Sequence, residues 1–267
     1  MGADIKKLRT RIKSVQSTLH LTKAMGLVAS SKIRRATEGM LRGREYAQAV
    51  RETVSALSGC RACEKSPYMA QREGGETRLI VIAGDRGLAG GYNANVFRLV
   101  KEYPEATILP IGKRACDRFG GKLQSAEGFR YEDAQNMAEK LCRDFAEGTF
   151  DRLGLVSTTY HSMMSRETEV AWILPLTKGK ETDGGGMIFE PDELSVLEIA
   201  MPVYVAGMIF AAVKESFACE VAARRVAMDS AGKNAQQMLD DLGLAYNRAR
   251  QGAITQEITE IVAGSGQ

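Results

Sequence analysis

Four glycines, Gly84, Gly87, Gly90 and Gly91, punctuate the stretch Gly84-Asp85-Arg86-Gly87-Leu88-Ala89-Gly90-Gly91-Tyr92-Asn93, which follows an apolar, β-branched run at residues 78–83. A strand, a glycine-rich turn and a helix can hold a phosphate on backbone N–H groups. The spacing matches neither the dinucleotide fingerprint Gly-x-Gly-x-x-Gly nor the nucleotide loop that ends in Gly-Lys-Ser/Thr, and no lysine follows the glycines. A turn that needs positive φ and tight strand-to-helix packing is the favoured reading. Cys60 and Cys63 form a Cys-x-x-Cys, but a zinc site needs a second pair, and Cys116, Cys142 and Cys219 are isolated. Five cysteines, an odd number, do not suggest a disulfide framework, so reduced thiols in a loop are expected. The two histidines, His20 and His161, are far apart in sequence. No Ser/His/Asp arrangement, metal-ligand set or carboxylate pair appears in a recognisable context. No catalytic residue, cofactor or metal is therefore expected.

The elements that frame this turn are more informative. The first 66 residues hold no proline, and all six prolines lie between Pro67 and Pro202. Stepping from Ile5 alternately by three and four meets Ile5, Leu8, Ile12, Val15, Leu19, Thr22, Gly26, Ala29, Ile33, Ala36, Met40, Gly43, Ala47, Val50, Val54 and Leu57. Only Thr22 is neither apolar nor glycine. An unbroken heptad register of this length predicts one long helix over residues 1–58 that buries a stripe against another helix. From Pro202 to about residue 261 the chain is rich in Ala, Met and Leu, which are strong helix formers, with charges scattered throughout. Met228, Ala231, Ala235, Met238, Leu242, Ala245 and Ala249 form a second seam there. If continuous, that helix is roughly 80–90 Å long at about 1.5 Å per residue. The small residues of the two seams match, so an antiparallel pair springing from a globular middle is the simplest closure. The alternative is that each helix packs separately on the middle domain.

Between the helices the chain alternates strands and helices: strands at 78–83, 107–111, 152–157 and 167–176, and helices after the glycine turn to Val100, at 113–119 and at 134–147. This order predicts an α/β domain with a mainly parallel sheet. Val170, Trp172 and Leu174 are expected on one face of the last strand. Residues 58–76 read as a linker and 178–192 as an exposed loop. The domain boundaries expected are 1–58, 59–200 and 201–267.

A net charge of +3 is too small to imply a polyanionic partner. Residues 1–44 nevertheless hold eleven Lys/Arg against Asp4 and Glu38, a net +9 (11 − 2) that suits an acidic surface or a solvated helix face. No run of eighteen apolar residues suggests a membrane-crossing helix, and the start shows no signal region. A nucleic-acid binder using the basic first helix is a weaker reading, since Tyr46 is its only aromatic.

Three blocks resemble the gamma subunit of bacterial F-type ATP synthase: Ile12-Lys13-Ser14-Val15-Gln16-Ser17-Thr18 leading to Leu21-Thr22-Lys23-Ala24-Met25-Gly26-Leu27-Val28-Ala29-Ser30-Ser31-Lys32; the 84–93 stretch; and Asn247-Arg248-Ala249-Arg250-Gln251-Gly252-Ala253-Ile254-Thr255-Gln256-Glu257-Ile258-Thr259-Glu260-Ile261-Val262. Their order and the helix, α/β, helix layout cover essentially the whole chain. The resemblance implies a Rossmann-like α/β domain inserted between two long terminal helices that form an antiparallel left-handed coiled coil. It implies a non-catalytic rotor shaft within a ring of three alpha and three beta subunits, its foot against the epsilon subunit and the membrane c-ring. The localisation implied is peripheral, on the cytoplasmic face of the bacterial cell membrane, with membrane contact only through the c-ring and no nucleic acid bound. Carried over residue by residue, Lys23, Met25, Arg250, Gln251 and Thr255 would face beta subunits. Ile254, Ile258, Ile261 and Val262 would turn in an apolar bearing, and Tyr204 would lie near the c-ring foot. The chain departs from the family pattern at Gly26-Leu27, beside Tyr204 at Val203 and Ala206, and at Cys219, Val221 and Arg225. The competing reading is an α/β enzyme or nucleotide-binding protein with helical arms.

Overall fold

The computed structural model describes residues 2–72, 74–122, 124–179 and 189–264. Helix α1 runs over Gly2–Ser58. After it come strand β1 (Thr77–Ile82), helix α2 (Tyr92–Val100), strand β2 (Thr107–Ile111) and helices α3 (Lys113–Phe119) and α4 (Tyr131–Ala146). Strands β3 (Arg152–Tyr160) and β4 (Arg166–Leu174) follow, and helix α5 (Glu193–Gly264) closes the chain. The chain forms two compact units, one of Met1–Ser30 with Arg224–Gln267 and one of Ser31–Ala223, and α1 and α5 contribute to both.

All sixteen positions of the α1 seam are buried or half-buried, from Ile5 to Leu57. In the first unit α1 and α5 run antiparallel. A Cβ built on Gly26 would lie 3.6 Å from Met228 Cβ, and one on Gly232 would lie 3.6 Å from Thr22 Oγ1. Glycine at both places lets the backbones approach closely. The α5 seam differs from the expected one. The covered positions are Met228, Ala231, Gly232, Ala235, Leu239, Leu242, Gly243, Tyr246, Ala249 and Ala253, so Ala231 holds as expected, whereas Met238 and Ala245 are exposed. At each disagreement two apolar residues are adjacent in sequence, and the larger contact, Leu239 over Met238 and Tyr246 over Ala245, takes the seam. Taken through Gly232 and Leu242, the step pattern is still three and four, the period of a left-handed supercoil.

Helix α5 starts earlier than the sequence suggests, and Pro202 lies inside it. Proline removes one main-chain bond, that to the carbonyl four residues back, but the start is fixed upstream. The Asp192 carboxylate accepts from the Ser195 amide at 2.9 Å and from its hydroxyl at 2.8 Å, an N-cap that satisfies one of the first free N–H groups. The expected boundary at 200/201 therefore does not mark the helix. Over one 18-residue window α5 is apolar and long enough to cross a membrane, but 56% of that window is buried inside the protein, as in a core helix.

The second unit holds a four-stranded mixed sheet in the order β2-β1-β3-β4. Strand β1 is parallel to β2 and β3, and β4 is antiparallel to β3. One face packs on α4 and on the N-terminal half of α5, with Phe145, Phe150, Leu155, Leu197, Val205 and Ile209 at its centre. The other packs on α2 through Leu79, Val81, Val96 and Val156. The predicted alternation in β4 breaks at a bulge: Leu153 pairs with Leu174, but Gly154 pairs with Trp172. The extra residue, Ile173, shifts the pleat, so Ile173 and Leu174 are both buried while Trp172 stays 38% exposed, with Arg152 stacked on its ring.

The expected linker at 58–76 is ordered in most of its length. Short 3₁₀ turns at Arg61–Lys65 and Pro67–Met69 bury Cys63 and Tyr68. Burial pushes the Cys63 thiol up to about 11, with the neighbouring Cys60 adding to the shift. Residues 180–188 of the expected exposed loop lie outside the described residues. Its start is tied down, since the Gly179 amide donates to Ser58 Oγ at 3.1 Å and Lys178 pairs with Glu64 at 2.8 Å.

Candidate functional site

The glycine turn after β1 is closed from within. Glu220, 2% exposed on α5, accepts hydrogen bonds from the amides of Asp85 at 3.4 Å and Arg86 at 3.3 Å. These are N–H groups of the kind a phosphate would use, and they face the protein's own carboxylate. Asn93 Oδ1 accepts from the Gly84 amide at 2.9 Å. Leu88 and Gly90 take positive φ, 59° and 58°. A Cβ on Gly84 would come within 2.6 Å of Glu220 Cδ, so any side chain here would push the Glu220 carboxylate out of place.

Asp85 ties the turn to two further segments. Its carboxylate accepts from the amides of Lys113 (3.0 Å), Ala126 (2.9 Å) and Glu127 (2.9 Å) and from the Ser125 hydroxyl (2.6 Å). Burial opposes its ionisation, but the Ser125 bond and the three amides outweigh that and hold Asp85 below its ordinary value. One turn earlier on α5, Glu215 accepts from the Tyr160 amide at 2.7 Å and pairs with Arg44 of α1 at 2.5 Å. Ser216 accepts from Tyr92 through its carbonyl at 3.0 Å and from the Thr158 amide through its hydroxyl at 3.3 Å. The sequence motif is therefore the docking point of the sheet's C-terminal edge on α5. Sequence reasoning found the turn but missed Glu215, Ser216 and Glu220.

The residues carried over for partner contact are placed differently. In the first unit Lys23 is exposed and Met25 half-buried. Lys23 lines a groove of about 440 Å³ with Leu27, Arg225 and Lys233 among its neighbours. Arg250, Gln251 and Thr255 are exposed on α5. The Thr255 hydroxyl donates to the Gln251 carbonyl at 2.9 Å, so its oxygen lone pairs face outward as acceptors. From Ile254 to Gly264 every residue is exposed, about 16 Å of helix at about 1.5 Å per residue. Ile254, Ile258, Ile261 and Val262 form an apolar stripe there, 46%, 56%, 70% and 65% exposed. The structure does not bring Tyr204 to the surface. It is 8% exposed in the core of the second unit, and burial raises its phenol pKa. Its exposed neighbours are Ile199 and Val203.

Comparison with known proteins decides among the readings. The ATP synthase family model matches residues 4–266. A relative from Ruminococcus albus, an ATP synthase gamma chain, is 41% identical over 98% of both chains. A gamma chain from Moorella thermoacetica is 37% identical over the same shares. The chain belongs to the ATP synthase gamma-chain family. Among solved structures, the rotor of the mitochondrial ATP synthase of Euglena gracilis superposes with a TM-score of 0.68 at 20% identity, over 95% of this chain and all of that one. The central stalk of the Tetrahymena thermophila enzyme superposes with a TM-score of 0.59 at 22% identity, over 79% of this chain and 99% of that one. Both share the fold of long terminal helices around an α/β domain. As a gamma chain it is a non-catalytic subunit of a membrane-associated complex, with catalysis at other subunits. The self-filled turn at Glu220 agrees with that role.

Proposed function

We propose that the chain is the central-stalk rotor that couples ion flow through the c-ring to ATP synthesis or hydrolysis at beta-subunit sites by its rotation. The observation that carries this is the far end of α5: a stripe of isoleucines exposed among the described residues, on a helix whose preceding seam is closed. An exposed apolar patch of this kind marks an interaction surface. In this reading Ile254, Ile258, Ile261 and Val262 turn in an apolar sleeve formed by the alpha and beta subunits, three of each. Arg250 and Gln251 donate to an acidic loop of a beta subunit, Thr255 accepts from a backbone amide of that loop, and Lys23 and Met25 face the acidic lever of the beta subunits. At the foot, the buried Tyr204 leaves contact with the c-ring to its exposed neighbours Ile199 and Val203, beside the epsilon subunit. The assembly sits at the cytoplasmic face of the bacterial membrane and reaches the lipid only through the c-ring. The shaft forms no covalent bond. It biases discrete conformations of the beta subunits, which is coupling between sites by a rigid moving element.

Co-expression with the alpha and beta subunits of the same organism tests the reading. A tag on this chain should retain a complex of three alpha, three beta and one gamma chain that hydrolyses ATP. A free monomer with no associated ATPase would reject it.

A further inference from the structure

We propose that Glu220 is a positioning residue for rotary coupling, locking the α/β domain to α5 through the amides of Asp85 and Arg86 so that the domain cannot slip as the helix turns; this rests on the rotor reading. The α/β domain meets α5 largely through apolar side chains. Apolar burial resists separation, but it is non-directional, and a smooth apolar face offers little resistance to rotation about the helix axis. Directional bonds supply that resistance. They are concentrated in less than two turns of α5, at Lys214, Glu215, Ser216, Cys219 and Glu220, and they reach the Phe129 carbonyl, the end of β3 and the glycine turn after β1. Glu220 is the most buried acidic side chain among them, 2% exposed, and its two oxygens reach two successive amides of the turn at once. The glycine at position 84 keeps the carboxylate in place, because any side chain there would collide with it.

The test uses the assembled enzyme in lipid vesicles, with ATP hydrolysis and a voltage-sensitive dye recorded together, so that the result does not depend on which ion is moved. Glu220→Ala, the near-isosteric Glu220→Gln and Gly84→Ala are compared with the unaltered chain. The expected result is continued ATP hydrolysis with a loss of charge moved per ATP, largest for Glu220→Ala and smaller for Glu220→Gln. Amide exchange at residues 84–86 should quicken about tenfold or more in Glu220→Ala, the fold-change expected when a hydrogen bond to a charged group is lost. Gly84→Ala added to Glu220→Ala should cause no further loss, because both act on one contact. Native charge movement per ATP in Glu220→Gln and Gly84→Ala, with faster exchange at 84–86, would overturn the proposal even if Glu220→Ala failed to assemble. If the unaltered chain formed no ATP-hydrolysing complex, the rotor reading itself would fall and this proposal with it.

Discussion

Helix α5 meets two environments. Between Tyr204 and Ala223 nearly every side chain is buried or half-buried, and polar residues such as Glu215, Ser216 and Glu220 are held by named partners. Beyond Arg224 the same helix covers a single stripe, then none at all after Ala253. The sequence differs accordingly. The first stretch is apolar on most sides, as a helix enclosed by a domain must be. The second is charged on all but one face, as a helix packed on one partner must be. One continuous element thus serves as the core of a domain and as half of a slender pair. The stability of the two stretches should differ in kind: dense burial in one, a narrow seam with close backbone approach in the other.

Core truncation should give the largest effect. Phe145→Ala removes a ring that is fully buried, stacked on Tyr68 and edge-on to Phe150, and should cost about 3–5 kcal/mol in a denaturant melt. Leu239→Ala in the half-buried seam should cost only about 1 kcal/mol. Equal losses would erase the distinction between the two stretches.

A middle-sized effect should come from Asp85→Asn, which places an amide donor among backbone donors and should cost about 2 kcal/mol at neutral pH. Because the folded pKa of Asp85 is depressed below the ordinary 3.8, the carboxylate's contribution is present above that value. It is lost as pH falls through the lower folded value. The gap between the two proteins should therefore be constant near neutrality and close only in strong acid. A gap that closes near pH 6 would assign the effect to another group.

The smallest effect on stability should come from the far end of α5. Arg250→Ala with Gln251→Ala should move the melt of the isolated chain by no more than about 0.5 kcal/mol, yet lower ATPase turnover in the assembled complex while assembly survives. Unchanged turnover would remove these two residues from the proposed contact.

The comparison also explains what could be read from sequence. The α1 seam was legible at every position, because its period runs unbroken and one face is covered throughout. The α5 seam slipped at Met238 and Ala245, where neighbouring apolar residues allow two registers and only packing chooses. The start of α5 was hidden by Pro202, a breaker that here is absorbed in the interior of a helix already capped at Asp192. Leu174 was misplaced: Val170 and Trp172 share a face as expected, both beside Gly154, but the bulge after Trp172 sends Leu174 into the other core, and no residue type announces it. The stretch at 58–76 looked like a linker because its glycine, proline and charge mask the burial of Cys63 and Tyr68. Glu220 was illegible for another reason. Its partners Asp85 and Arg86 are more than a hundred residues away, and a lone Glu on a helix carries no mark of what it will meet. Lys23, Arg250, Gln251 and Thr255 were named by resemblance alone, and the structure adds only that all four are exposed.

The uncovered end of α5 also bears on the life of the chain before it finds its partners. Ile254, Ile258 and Ile261 are exposed, within a segment free of proline, and two copies can bury them against each other. Newly made gamma chain in excess of its partners should therefore self-associate with rising concentration, and its solubility should improve when the last two turns are removed. Matched supply of the subunits during synthesis is then a physical requirement of this chain, set by those few exposed isoleucines.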